Sequence, residues 1–161
     1  MDRSSFVYVT YIRTTPDKLW EALIEPEFTR RFWAGTWQVS EWKAGSSWTL
    51  MFPGGRVADS GEVLEIEPCR RLVLSWRNEW RPELRPEGYS RMTYLIEEQG
   101  DMVKLTVTHE MARPGSKFIE AVSQGWPAVL ASLKSLLETG QPLSLREDKC
   151  ATEAAAAASS G

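Results

Sequence analysis

Histidine is nearly absent from this chain, with one in 161 residues, and cysteine is scarce, with two. A zinc-type site needs several His or Cys ligands at set spacings. With a lone histidine, no CxxC pair and no zinc-like spacing, no metal site is expected. There is no GxGxxG loop and no Walker-type loop, so no dinucleotide or P-loop nucleotide cofactor is implied. Gly54-Gly55 is too short to cradle a phosphate, and a hairpin turn explains it. No serine lies in a GxSxG elbow, and no nucleophilic triad is evident. No run approaches the roughly 18 apolar residues of a membrane span. Basic charge is not in excess: the net charge is −3, which argues against nonspecific nucleic-acid binding. The pairs Arg30-Arg31 and Arg70-Arg71 are brief and read as solvated surface charge. The opening Met-Asp-Arg-Ser-Ser has no apolar h-region, so no signal peptide is expected, and a cytoplasm with free thiols is the expected location.

What the chain has in excess is tryptophan, with 8 at positions 20, 33, 37, 42, 48, 76, 80 and 126. Large aromatics supply much buried area, and they also line ligand pockets. The length is that of one domain, enough to bury roughly 70% of the unfolded chain's surface. A single domain over 1–143 is expected, followed by an Ala-rich, flexible tail over 144–161 with no apolar stripe to dock.

The patterning predicts an α+β domain. Residues 6–13 are β-branched and aromatic and read as a strand. Thr15 is placed as the N-cap of a helix, with Pro16 in its first turn and Leu19, Trp20 and Leu23 on one stripe. A second short helix carries Phe28, Phe32 and Trp33. From Thr36 to Glu110 the period is two, with strands over 48–52, 57–66, 71–77, 90–97 and 102–110. The last of these puts Val103, Leu105, Val107 and His109 on one face, against Lys104, Thr106, Thr108 and Glu110. A closing helix carries Phe118, Val122, Trp126, Val129, Leu130, Leu133, Leu136 and Leu137 at helical spacing. Pro127 removes a donor within it, so a break or kink is expected near Gln124.

Individual reactive residues carry two readings each. His109 faces the concave side of the sheet, as a general acid or base or as a hydrogen-bonded strand-end histidine. Cys69 follows Pro68 in a turn beside Arg70 and Arg71, either activated by them or inert. Glu65 and Glu67 share one strand face and Glu62 takes the other; they read as solvated charge rather than as an acid/base pair, and Asp59 on the same strand has no evident partner.

Three stretches are similar to a known family. They are Pro16–Leu23 with Pro26-Glu27 and Phe32-Trp33; Gly61–Pro68 with Arg71–Trp76; and Gly125–Leu133. Together they resemble the SRPBCC (START/Bet v 1-like) superfamily, and within it bacterial members of the family named for the activator of the 90-kDa heat-shock protein's ATPase. The resemblance spans about residues 6–140. It implies a helix-grip fold: a curved antiparallel sheet of about six strands wrapped around a long C-terminal helix, with two short helices after the first strand. It also implies a space between sheet and helix, surrounded by Trp33, Trp48, Phe52, Trp76, Tyr94, His109, Phe118, Val122 and Trp126. These residues either fill the core or line a cavity. His109, Tyr94 and Arg77 are its candidate polar handles, and no catalytic residue is assigned.

Fold does not fix function. The first expectation is a noncatalytic protein that binds an apolar or aromatic small molecule. The second is a co-chaperone-like or self-associating interaction module, with a chaperone partner and a monomeric or homodimeric state. The third is a cyclase- or aromatase-like enzyme, whose site would position a flexible substrate. Gly125-Trp126-Pro127 is expected to divide the closing helix, leaving the segment with Phe118 and Val122 as a lid hinged at Trp126.

Overall fold

Each predicted element forms close to where its pattern places it. The computed structural model describes residues 3–145. β1 (Ser4–Ile12) leads into α1 (Pro16–Ile24) and α2 (Pro26–Phe32). Six strands follow: β2 (Trp37–Ser40), β3 (Ser47–Met51), β4 (Val57–Glu67), β5 (Arg71–Asn78), β6 (Ser90–Gln99) and β7 (Met102–Met111). The chain closes on α3 (Lys117–Thr139). The strands form one curved, open, antiparallel sheet in the order β1-β7-β6-β5-β4-β3-β2, with α3 packed on its inner face. This is the helix-grip architecture.

Local chemistry accounts for the helix starts. Thr15 Oγ1 accepts from the Lys18 amide at 3.3 Å, and Pro16 occupies the first turn, where its missing N–H costs nothing. In β7 the alternation holds, with Val103, Leu105, Val107, His109 and Met111 buried. Gly61 in β4 is required by a close approach: a Cβ there would lie 1.8 Å from the Ser75 carbonyl oxygen of β5.

The structure bears out the sheet and corrects two other expectations. Against about six expected strands, the sheet has seven among the described residues. The additional strand, β2, inverts the usual pattern, with Gln38 buried and Val39 at 52% exposure. Gln38 is tolerated inside because its partners are also inside. Its amide donates to the Leu23 carbonyl and to Thr29 Oγ1, while its Oε1 accepts from Trp48 Nε1 at 2.9 Å.

The break near Gln124 does not occur: α3 runs unbroken through Gly125-Trp126-Pro127. Proline in a helix interior costs about 3 kcal/mol. Phe118 and Ile119 before it, and Trp126, Val129, Leu130, Leu133 and Leu136 from its hinge onward, are buried in one core. Burial of each such side chain contributes about 1.5–3 kcal/mol, so tertiary packing overrides the local rule. The lid hinged at Trp126 therefore has no basis.

The second correction concerns the tail. Beyond Leu145 it lies outside the described residues, but Leu145, within the segment read as undockable, is buried against the core. Just before it, the Leu143 amide bonds Ser132 Oγ at 3.2 Å.

Candidate functional site

The cross-strand register builds one wall of a cleft. Leu50 on β3 pairs with Asp59 on β4, which pairs with Asn78 on β5. Directly opposed residues share a face, so the three side chains form a row, and all three line the cleft. Trp76 stands on the same face, two residues back along β5. Opposite them α3 presents Phe118, Ala121, Val122, Gly125, Trp126 and Val129. Trp33, at the end of α2, closes one side. The loop after β5 closes the other with Trp80, Arg81 and Leu84. That loop is aimed by Asn78, whose Oδ1 accepts from the amides of Trp80 and Arg81 at 3.2 and 2.8 Å. The cleft measures about 190 Å³.

Three tryptophans from separate elements meet at its base. Trp33 and Trp126 have ring centroids 5.3 Å apart, Trp33 and Trp76 6.0 Å, and Trp76 and Trp126 5.8 Å. These are ordinary aromatic pair distances and fix the rings against one another.

Asp59 is the unusual group. It is 8% exposed, yet no basic side chain pairs with it among the described residues. Burial raises its pKa from the usual 3.8 to about 7; the Trp76 side chain opposes this, and the nearby Glu79 charge adds to it. Glu79 itself is engaged: it accepts from Ser60 Oγ and Arg77 Nε, both at 2.6 Å, and from Arg85 Nε at 3.1 Å.

His109 lies behind this wall, in a closed relay. Trp126 Nε1–H, which can only donate, bonds His109 Nδ1 at 3.1 Å. Nδ1 is therefore the bare nitrogen, and Nε2–H donates to Ser90 Oγ at 2.7 Å. The Ser90 hydroxyl in turn donates a hydrogen bond to the Trp76 carbonyl oxygen at 2.9 Å. Burial lowers the His109 pKa to about 3, so the ring is neutral with both nitrogens occupied. An imidazole so arranged orients Trp126 and is not placed as an acid or base.

Of the nine aromatic and apolar candidates, Trp33, Trp76, Phe118, Val122 and Trp126 border the cleft. Trp48 is fully buried beneath Trp76, at 4.4 Å between centroids. Phe52 packs edge-on against Trp80. Tyr94 lies against Trp126, with burial pushing its phenol pKa up. Arg77 is held by Glu79 and covers Tyr89.

The remaining candidates are structural. Cys69 takes a φ of +65°, and its Sγ–H donates to Asp17 Oδ1 at 3.2 Å. That bond, with some burial, pushes the thiol pKa up, opposite to what activation by the neighbouring arginines would require. Glu65 pairs with Arg71 and Arg91, and Glu67 with Arg70, on a solvated face. Among the described residues no cluster of His, Cys, Asp or Glu is arranged to hold a metal. No helix among them is long and apolar enough to cross a membrane.

Asp59, Asn78, Trp80 and Arg81 were not singled out as site residues by their sequence surroundings. A carboxylate inside a strand is a surface signal unless the neighbouring strands are known.

A helix-grip domain with an aromatic-lined cleft between sheet and helix defines the structural class. The chain belongs to the family described as Activator of Hsp90 ATPase homolog 1-like protein, which matches residues 13–138. Similar solved structures include protein MLL2253 from Mesorhizobium loti, at 23% identity over 83% of this chain and 96% of that one, with a TM-score of 0.71. The Aha1 dimer from Colwellia psychrerythraea is 17% identical over 85% of this chain and 98% of that one, with a TM-score of 0.69. PFC0360w, an HSP90 activator from Plasmodium falciparum, is 23% identical over 76% of this chain and 86% of that one, with a TM-score of 0.61. At these identities the likeness establishes the fold alone. No curated protein matches the chain.

Proposed function

We propose that this protein binds a small apolar or aromatic molecule in the cleft between the sheet and α3, in the cytoplasm. The observation that carries the reading is the concave surface bordered by Trp33, Trp76, Phe118, Val122 and Trp126. Apolar walls with a few convergent polar groups are the usual form of a small-molecule site. Size limits the ligand. The volume of about 190 Å³ is below the range of drug-sized pockets, roughly 300–1,000 Å³. It exceeds the roughly 150 Å³ cavity that admits benzene, so a ligand of about one ring fits. Native mass spectrometry of freshly purified protein, with tryptophan emission titrated against single-ring compounds, tests this. The expected result is a saturable emission change with one equivalent bound. A flat response across the panel, with no copurified molecule, would sink the proposal.

Family membership supports a second reading, a co-chaperone-like role in a stress response, with this chain acting as a monomer or a homodimer. Stimulation of a partner chaperone's ATPase tests it, and no binding and no stimulation would remove it. An enzymatic reading rests on Asp59 rather than His109. Of the two buried groups, only Asp59 meets the cleft and titrates near neutrality.

A further inference from the structure

The cleft holds a carboxyl group with no counter-ion. Asp59 is buried, lines the cleft, and has no salt-bridge partner among the described residues. A buried ionised carboxylate left unpaired is costly, and a cation or a strong N–H donor brought to it removes that cost. The other charges around it are already engaged. From the end of β5 and the loop that follows, Glu79 is bound by Arg77 and Arg85, and Arg81 is bound by Glu83 at 2.7 Å. From β3, the end of α2 and α3, the lining residues carry no titratable group: they are Leu50, Trp33, and the α3 face from Phe118 to Val129. Beyond Asp59 itself, Arg81 is thus the one titratable group among the described residues that lines the cleft, and Glu83 holds it.

The remaining walls suit a positive charge. Trp33, Trp76, Trp80, Trp126 and Phe118 border the same space. Aromatic rings attract a cation through their quadrupole, more strongly when water is excluded. A buried carboxylate inside an aromatic enclosure is complementary to one class of small molecule, an aromatic ring bearing a protonated amine. We propose that the cleft selects a single-ring arylalkylamine, with Asp59 recognising the ammonium and the tryptophans enclosing the ring; this rests on the binding-cleft reading above.

The test uses three probes of matched size and different charge: benzylamine, benzyl alcohol and benzoate. Each is titrated into the full-length protein at about pH 8, followed by tryptophan emission. Benzylamine is expected to bind about tenfold more tightly than benzyl alcohol, and benzoate more weakly than either. In Asp59→Asn the amine's advantage over benzyl alcohol is expected to fall to about twofold or less. The unaltered protein supplies an independent arm. The amine stays protonated between about pH 8 and pH 5.5, while Asp59 takes up its proton over that range. Amine affinity should therefore fall on acidification while alcohol affinity holds.

The outcomes separate cleanly. Equal binding of amine and alcohol overturns the amine proposal and leaves the cleft reading standing. Tightest binding of benzoate also overturns it and assigns recognition to Arg81. An amine preference that survives Asp59→Asn and acidification removes Asp59 from recognition. No binding of any probe overturns both readings.

Discussion

His109 and Asp59 are both buried on the inner side of one sheet, and they are built in opposite ways. Each nitrogen of His109 meets a partner, and the chain of bonds ends on a backbone carbonyl. Among the described residues Asp59 meets no cation, and it faces a cleft. Burial alone therefore does not mark a functional group. A polar side chain whose bonds are all made inside the protein specifies packing. One left without a counter-ion beside a cavity is available to something else. The lone histidine draws attention in the sequence, but the structure gives it the packing role.

The largest expected effect comes from opening the closed relay. His109→Ala removes a fully buried ring and strands the Trp126 N–H, while the Ser90 hydroxyl keeps its bond to the Trp76 carbonyl. A cavity plus one unsatisfied donor should cost about 5 kcal/mol. Urea unfolding at about pH 7.5 measures this. A loss under about 1 kcal/mol would mean that the relay is not what holds Trp126 against the sheet.

The second expected effect is on pH dependence, where the two groups oppose each other. Asp59 titrates at about 7 when folded and near 3.8 otherwise. Between those values the unfolded chain is ionised while the folded protein keeps its proton. Its contribution therefore falls as pH rises through the window, and is level above about 7. His109 titrates at about 3 when folded and near 6.5 otherwise. In that window the unfolded chain holds the extra proton, so stability rises with pH. Each contribution is on the order of 4 kcal/mol, and the overlapping slopes largely cancel. Asp59→Asn removes one slope and exposes the other. The variant should gain on the order of 4 kcal/mol over the parent at about pH 8, and lose stability steadily on acidification from about 6.5. Glu79, Glu83, Glu87 and Glu138, all held below the usual glutamate value of 4.5, add acid loss only below it, in both proteins alike. Denaturant midpoints from about pH 4 to 8 decide the matter. Curves for variant and parent that superimpose would show that Asp59 is not desolvated.

The same pair of residues shows how far the sequence could be read. Alternation in β7 correctly turned His109 inward, because a half-buried strand carries that information locally. It could not show what His109 meets, since Trp126 and Ser90 lie 17 and 19 residues away along the chain. Asp59 was hidden for a related reason. Its strand also carries Glu62, Glu65 and Glu67, which do face solvent, and a bulge between Val63 and Glu65 shifts the alternation. Only its pairing with Leu50 and Asn78 puts it on the inner face. β2 was missed because Gln38 and Val39 exchange the usual places of polar and apolar residues. Pro127 misled in the other direction, as a strong local signal outweighed by the core on both sides. The helix starts, the hairpin strands and the apolar stripe of α3 were legible because each is written within a few turns of chain.

The smallest expected effect lies at the rim of the cleft, where closed and open regions join. The 3₁₀ turn Arg85–Glu87 ends the loop that carries Trp80, Arg81 and Leu84, and Glu87 ties it to the first turn of α3. The carboxylate accepts from Ser116 Oγ, from the Lys117 amide at 2.9 Å and, at 3.4 Å, from the Phe118 amide. Burial would raise its pKa, but these bonds and the Arg113 charge hold it below the usual value. Glu87→Gln keeps an acceptor and removes the charge from the positive end of the helix, a loss of about 1 kcal/mol. Exchange of the Lys117 and Phe118 amides should quicken by about fivefold, while the opposed slopes of Asp59 and His109 persist. If Glu87→Gln instead abolished the Asp59 slope, the carboxyl would owe its shift to the loop that covers it, not to its place in the sheet. The cleft would then be a feature of how that loop sits on α3.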